Sequence, residues 1–441
     1  MKIPNSQLQE KIRQQFEAGP YPRKPLEESP KEDYDFLFIH NLVTPFYLRN
    51  KVVVDCEGKV ILDAGCGSGY KALALALANP KAKIIGIDIS EESVKLAQKR
   101  LHYHGFQNAE FHVLTIEELP ELGIEFDYIN CDDVLYLLSD IVAGLKAMKA
   151  VLKPDGIIRA NLHSFFQRNF YYRAQTVFRM MGLMDDNPGE LEISIVRDTM
   201  KALKDEILIK QYTWKPASEE DPEYYLANYL LQGDKGYQIP EMFAALKAAE
   251  LEFISMVKWR QWELIDLFKD PLDLPAFLAM SLPEIEEEEK LHLLELLHPI
   301  HRLLDFWCGH PNAAKPVVPV DEWTDADWKK GRVYLHPQLK IPKLREHLLQ
   351  CITYQRPFEI SRYVPGSTIN PVKLGNGIAA CLLPLWEEPQ PMMSLLERWL
   401  KIRPLNPITL EPVRENEAIA EIKAVLRELE NFLYLLLQRS G

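Results

Sequence analysis

Val60-Ile61-Leu62-Asp63-Ala64-Gly65-Cys66-Gly67-Ser68-Gly69, followed one helix later by Ile84-Ile85-Gly86-Ile87-Asp88-Ile89-Ser90, decides the fold of this 441-residue chain. Val60 to Leu62 is an apolar run suited to a buried parallel strand, and it breaks at Asp63 into three alternate glycines, Gly65, Gly67 and Gly69. Glycine permits positive φ in a tight turn and lets a ligand approach bare backbone. The helix expected over Tyr70 to Asn79 aims the positive end of its dipole at the same point. Asp88 closes the second apolar run at the distance expected for a carboxylate that receives ribose hydroxyls. Two carboxylates therefore flank one glycine turn.

A dinucleotide fingerprint asks for glycine at the first, third and sixth places, so that a pyrophosphate sits on the helix N-terminus, and here Tyr70 fills the sixth. That disfavours a nicotinamide oxidoreductase. The pattern acid-x-Gly-x-Gly-x-Gly resembles instead the cofactor loop of class I S-adenosylmethionine-dependent methyltransferases. Phe126 to Cys131 is similar to that family's fourth strand, and Leu152-Lys153-Pro154-Asp155-Gly156 to the turn into its fifth, Ile157 to Leu162. The resemblance implies an α/β fold with a doubly wound, Rossmann-like sheet and S-adenosyl-L-methionine as cofactor. It also implies site residues: Asp63, Gly65, Cys66, Gly67 and Gly69 in the loop, with the Gly65 backbone and the carbonyl near Cys131 at the methionine part. Asp88 would meet the ribose, and Ile89 and Ile116 the adenine faces. Thr115 stands where many relatives place an aspartate that accepts from the adenine amino group, and a hydroxyl accepts less strongly. The Asn-Pro-Pro-aromatic segment of enzymes that methylate nucleic-acid amines is replaced by Asn130-Cys131-Asp132-Asp133.

Composition bounds the rest. The length suggests two or three domains, and the net charge of −13 argues against nonspecific nucleic-acid binding, which needs a basic surface. The first nineteen residues lack the apolar core of a secretory signal, and no apolar run reaches the length of a membrane span. A soluble, cytoplasmic protein is expected. The six cysteines form no CxxC pair and read as reduced thiols.

Alternation of strand and helix predicts strands near 60–63, 84–88, 110–114, 126–131 and 156–162 in a parallel sheet, whose ligands bind outside the carboxyl ends of the strands. Before it, residues 1–50 form a helical and Pro-rich segment, with a short amphipathic stretch at Gln7 to Phe16 and a second helix about Asp35 to Leu48. Its Tyr21, Arg23 and His40 either cap the cofactor, as leaders do in the family, or pack on the surface. Residues 51–164 are the cofactor-binding core. Residues 165–265 read as a helical cap, with helices over Phe165 to Leu183 and Glu190 to Leu208, closed by an edge strand at Leu251 to Trp259. Residues 266–310 read as a helical connector, Leu291 to Phe306 supplying its apolar face. His298, His301, Cys308 and His310 have spacings a metal site can use, but no second donor cluster follows, and no metal is expected. Residues 311–441 form a separate, mainly helical C-terminal region. It resembles the regulatory or substrate-binding regions attached to some prokaryotic methyltransferases. Its last helix, Ala418 to Leu437, carries apolar residues every three or four positions, a face for the module's own core or for a homodimer seam.

The expected function is transfer of a methyl group from S-adenosylmethionine to an unidentified small molecule or protein. The reaction asks mainly for alignment and exclusion of water. If the acceptor loses a proton, Asp132, Tyr136, His163 and His40 are the candidate bases near the strand ends. The alternative is a noncatalytic cofactor sensor or scaffold built on the same core. Two expectations follow: a chain cut after the Leu251 to Trp259 strand keeps cofactor binding but loses transfer, and Asp88→Ala weakens cofactor binding at least about a hundredfold while leaving the fold intact.

Overall fold

A computed structural model of the chain describes residues 5–364 and 370–439. Each predicted strand of the core is present: β1 (Val60–Ala64), β2 (Lys83–Asp88), β3 (Glu110–Val113), β4 (Phe126–Cys131) and β5 (Leu152–Ser164). They pair in parallel, in the order β3-β2-β1-β4-β5. Period two decides which face each side chain takes. Ile61, Ile84, Tyr128 and Ile157 point to one layer and Leu62, Ile85, Ile129 and Ile158 to the other, all buried. The first layer is covered by α3 (Val43–Asn50), α4 (Tyr70–Ala78) and α5 (Glu91–Tyr103), the second by α6 (Ile141–Ala150), α11 (Ile239–Ala248) and α13 (Glu287–Leu297). A two-residue strand, β6 (Gly236–Tyr237), adds to the end of β5.

The sheet does not finish as the sequence suggests. The edge strand β7 (Glu252–Met256) is present, but it does not touch β5. Between them lies β8 (Leu303–Gly309), antiparallel to both, with Ile157 opposite Gly309 and Leu162 opposite Leu304. The stretch 266–310 is therefore no helical connector. Its helix stops at Leu297, and the apolar run that follows takes period two, with Leu304, Phe306 and Cys308 on one face and Trp307 on the other. A chain cut after Trp259, expected to keep cofactor binding, would lose an interior strand and leave β5 without its antiparallel partner.

Three other helices break. The segment expected as one helix from Asp35 to Leu48 is two, α2 (Tyr34–His40) and α3. The side chain of Asn41 accepts from Val43 N at 2.9 Å and donates to Ala78 O at 2.6 Å, which competes with the helical ladder. The Glu190 to Leu208 segment divides into α8 (Glu190–Ala202) and α9 (Leu208–Thr213), with Leu203 extended. Together with α7 (Phe165–Met180) and α10 (Pro222–Asn228) they make an inserted unit with its own core of Tyr171, Phe178, Val196, Tyr225 and Tyr229. The last long helix ends early: α18 spans Glu415–Asn431, Leu433 turns at φ 54°, and Leu435–Arg439 becomes a strand.

That strand, which pairs with Gly331–Leu335, belongs to the C-terminal module, a three-stranded sheet packed with helices. Ile422, Leu426 and Leu429 of α18 are buried in the module's own core, so this face is spent within the chain. The same core takes in Phe38, Val43 and Tyr47 from α2 and α3. Tyr47 is fully buried. Its hydroxyl lies 3.0 Å from both Glu430 Oε1 and Leu437 O and accepts from Leu437 N at 2.8 Å. Removing it orphans a buried strand amide and leaves Glu430 Oε1 with Lys51 Nζ, at 2.6 Å, in place of two donors. Tyr47→Phe should therefore cost about 1–3 kcal/mol of stability, read by urea unfolding, and an unchanged midpoint would contradict this account of the junction.

Candidate active site

The carboxyl ends of β1 to β5 open into one long cleft. On the β3 side its cavity is lined by Gly65, Cys66, Gly67, Asp88, Ile89, Thr115, Ile116 and Asp132 among others. On the β5 side a second cavity is lined by Tyr136, His163, Arg302, Glu223 and apolar side chains. Phe16, Tyr21, Asp133 and Leu137 line both, so the two meet at the end of β4.

The glycine turn is built as its sequence requires. Gly65 and Gly67 have φ of 80° and 49°, and a Cβ on Gly67 would stand 2.1 Å from the carbonyl of Tyr21. Asp88 Oδ2 accepts from Gly67 N and Oδ1 from Ser90 N, each at 2.9 Å. Burial raises its pKa, partly offset by these amides. Asp63 is also buried. It accepts from Asn130 at 2.8 Å through Oδ1, while Oδ2 has no hydrogen-bond partner among the described residues, and burial lifts its pKa to about 6.

The N-terminal segment closes the cleft. Gln9, Ile12 and Phe16 of α1 (Asn5–Ala18), with Tyr21 and Pro22, form part of its wall. Ser68 N donates to Tyr21 O at 2.8 Å, Arg100 holds the carbonyls of Lys24 and Pro25, and Arg23 N donates to Glu223 at 2.7 Å. Tyr21 and Arg23 thus belong to the lid. His40 does not. It lies behind the strands, where Nδ1 donates to Phe36 O at 2.7 Å and Nε2 accepts from Arg159 at 2.9 Å. Burial and then Arg159 push its pKa to about 3, so it is neutral and faces neither cavity.

At the end of β4 sits a buried ion array. Lys71 Nζ is 3.0 Å from both Asp132 Oδ2 and Asp133 Oδ2. Asp132 also accepts from Asn161 at 2.5 Å and has Arg159 at 3.6 Å, and Arg159 forms a double bridge to Asp305 at 2.7 and 3.0 Å. Asp133, at φ 63°, turns its carboxylate toward Lys71 and Arg302. Burial alone would raise both aspartates; Lys71 with Arg159 or Arg302 outweighs it and holds them low. Asp132 is thus an ionised, fully committed group and a poor base.

Of the other predicted residues, Gly65, Cys66, Gly67, Asp88, Ile89, Thr115 and Ile116 face the cleft, and Tyr136 and His163 face the second cavity. Asp63, Gly69 and Cys131 stand behind the wall; Gly69 packs on Ala97. The Thr115 hydroxyl donates to Glu118 at 2.8 Å, and Glu117 beside it lines the cleft. Sequence reasoning missed Glu117, Lys71, Asp133, Arg302 and Asp234. Position after Ile116 could have found the first; the others are set by long-range pairing. Among the described residues no group of three or more His, Cys, Asp or Glu side chains could hold a metal. His301 stacks on Trp262, and His310 bonds Leu152 O.

Residues 55–229 match a family described as a methyltransferase domain. This is an S-adenosylmethionine-dependent methyltransferase domain. An uncharacterized protein of a Synechococcus strain is 25% identical over 326 residues, which cover 71% of this chain and 73% of that protein. A ubiquinone biosynthesis O-methyltransferase of Actinobacillus pleuropneumoniae is 33% identical over 106 residues, so this chain spans less than half, 44%, of that protein. The structure of PKMT2 from Rickettsia typhi in complex with AdoHcy shares the fold over 91% of this chain and 76% of that one, with a TM-score of 0.60 at 18% identity. The methyltransferase domain's cleft fits its cofactor: Asp88 keeps free lone pairs for hydroxyls, the unpartnered Asp63 Oδ2 suits a nearby cation, and Ile89 and Ile116 give flat apolar walls.

Two predictions follow. Loss of two charge-assisted bonds of roughly 1.5–3 kcal/mol each should weaken S-adenosylmethionine binding by Asp88→Ala at least about a hundredfold in calorimetric titration. Because this carboxylate also holds the amides of Gly67 and Ser90, the variant should lose about 1–3 kcal/mol of stability too while keeping its fold. The second concerns His40. A histidine whose folded pKa is depressed binds its proton more readily when unfolded, so its stabilisation is complete above 6.5 and is lost as pH falls toward 3. His40→Gln should flatten the fall in unfolding free energy between pH 6.5 and 5 by roughly 2 kcal/mol. Parallel urea curves for the two proteins would contradict it.

Proposed function

We propose that the chain transfers the methyl group of S-adenosylmethionine to an acceptor held in the second cavity, under the inserted helical unit. The observation that carries this reading is that the two cavities meet at Asp133, Tyr21 and Phe16, where the cofactor-facing strand ends pass into the pocket beneath α10. Along the sheet the order is Thr115 and Ile116 after β3, Asp88 on β2, the glycine turn after β1, Asp133 after β4 and His163 on β5. A cofactor with adenine at the first and ribose at the second brings its reactive end to the fourth. The donor supplies an electrophilic methyl group on a sulfonium. This chain supplies orientation and dryness: α1 and Tyr21 roof the junction, Leu226 and Leu231 wall the acceptor side, and the paired charges of Asp132 and Asp133 leave no free carboxylate at the junction. The inserted unit selects the acceptor, since α10 supplies Glu223, Leu226 and Ala227 to that cavity.

The test fills the acceptor cavity without touching the cofactor cleft. With labelled S-adenosylmethionine and fractionated cell extract, the wild type should label an acceptor. Ala227→Trp should lose at least about tenfold of that transfer while binding the cofactor within about threefold of wild type. Undiminished transfer by a folded Ala227→Trp would overturn the acceptor assignment. Binding without turnover by the wild type would favour a cofactor sensor.

A further inference from the structure

A buried imidazole–carboxylate pair lies on the wall of the second cavity. His163 Nδ1 is 2.7 Å from Asp234 Oδ1, with both side chains no more than 1% exposed. Asp234 is held in turn by Arg168 at 2.9 Å and Gln175 at 2.8 Å. The ring of Tyr136 stacks on the imidazole, centroids 3.7 Å apart and planes at 19°, which fixes the plane of the base. An arginine-paired carboxylate is ionised and only accepts, so the proton of the neutral imidazole is on Nδ1. The other nitrogen gives the same answer. Arg302, whose guanidinium only donates, stands 3.0 Å from Nε2, which must therefore present its lone pair toward the cavity. Arg302 is the exposed member of the group: its side chain is 44% accessible, against 1% for His163.

We propose that His163, positioned by Asp234, is the general base for methyl transfer to a hydroxyl, and that the acceptor is a phenol whose O–H takes the place of Arg302 at Nε2. The proposal rests on the second cavity being the acceptor site. In the step, the phenolic proton passes to Nε2, an oxygen electron pair forms the new O–CH3 bond, and the S–CH3 bond breaks with its pair left on sulfur. The positive charge of the sulfonium ends on the imidazolium, where Asp234 neutralises it. Release of that proton to solvent resets the base.

The cavity favours this class over a protonated amine. Its carboxylates are Asp133 and Glu223; the first is bound to Lys71 and Arg302, and the second accepts from Arg23 N and has its pKa raised by burial. Asp133 is therefore no free anion for an ammonium, and burial disfavours the charged form of Glu223. Phe16, Tyr21, Leu226 and Leu231 give walls suited to a flat ring. While Arg302 is in place, burial and then Arg168 and Arg302 hold His163 at about 4 against the pull of Asp234. Exchange of the guanidinium for a neutral hydroxyl removes one of those cations, so the imidazole becomes a stronger base as the acceptor arrives.

Two phenols of different acidity separate a base from a scaffold. The full chain is given labelled S-adenosylmethionine at pH 8 with 4-methylphenol, which stays protonated, or 4-nitrophenol, which is largely ionised in solution. His163→Gln should lower transfer to 4-methylphenol at least about a hundredfold and transfer to 4-nitrophenol by less than about tenfold, with cofactor binding unchanged. Asp234→Asn should repeat the pattern, because an amide facing Nδ1 puts the proton on Nε2. It decides the matter if His163→Gln fails to bind cofactor. Equal losses with both phenols, or no transfer to 4-methylphenol by the wild type, would overturn the proposal. Label entering Nα-acetyllysine instead would leave the methyltransferase reading standing and make the acceptor an amine, whereas no label in any probe or extract fraction would remove both.

Discussion

Charge pairing at the end of β4 is the constraint on which the rest of the site depends. Asp132, Asp133, Asp234 and Asp305 face Lys71, Arg159, Arg168 and Arg302, four anions against four cations, most of them buried. Each ion would be costly out of water alone, and each is tolerated because a partner is within reach. The partners come from far apart in the chain. Lys71 starts α4, Arg159 is in the middle of β5, Asp234 follows the inserted unit, and Arg302 and Asp305 arrive with β8. Closing this array therefore requires the glycine turn, the insertion and the late strand to be in place together. The neutral histidines 40 and 163 sit at its two ends, each with one nitrogen donating to a fixed oxygen and the other accepting from an arginine.

Much of this was legible in the sequence wherever local pattern and burial agree. Ile61 and Leu62, Ile84 to Ile87 and Phe126 to Cys131 are buried on both faces, so an apolar run followed by an acid or glycine marks both the strand and its functional end. Asp88, Thr115 and Ile116 were placed by that rule and do line the cleft. The rule fails where the partner is distant. Leu303 to Gly309 follows a leucine-rich helix with only His298 and Pro299 to mark the break, and its antiparallel place beside β5 leaves no local sign. Leu433 to Leu437 reads equally as the end of a helix, and its strand identity comes from pairing with residues a hundred positions earlier. Asp234 lies in a loop with no motif around it. Its meaning comes from Arg168, Gln175 and His163 converging on it.

The inserted unit and the C-terminal module relate differently to the cleft. The first has a separate aromatic core, lines the second cavity through α10, and holds Asp234 through Arg168 and Gln175 of α7. None of the second's described residues lines either cavity. That module grips α2 and α3, whose Asn41 and Leu42 lock in turn onto Ala78 and Asn79 at the end of α4, the helix that carries Lys71.

The seat of Tyr47 has a consequence for how the molecule is made. Tyr47 is bonded to Leu437, 390 positions later, and shares a core with Phe38 and Val43 that the C-terminal module completes. At ribosomal speeds of about 5–20 residues per second, roughly 20–80 s separate the synthesis of these partners. Through that interval a phenol ring and its apolar neighbours emerge with nothing to bury them, so the nascent chain carries a sticky face long before its sheet is complete. Contacts of such sequence separation slow folding and favour association with the wrong chain. The junction that secures the finished enzyme is thus the part of it most in need of a chaperone during translation.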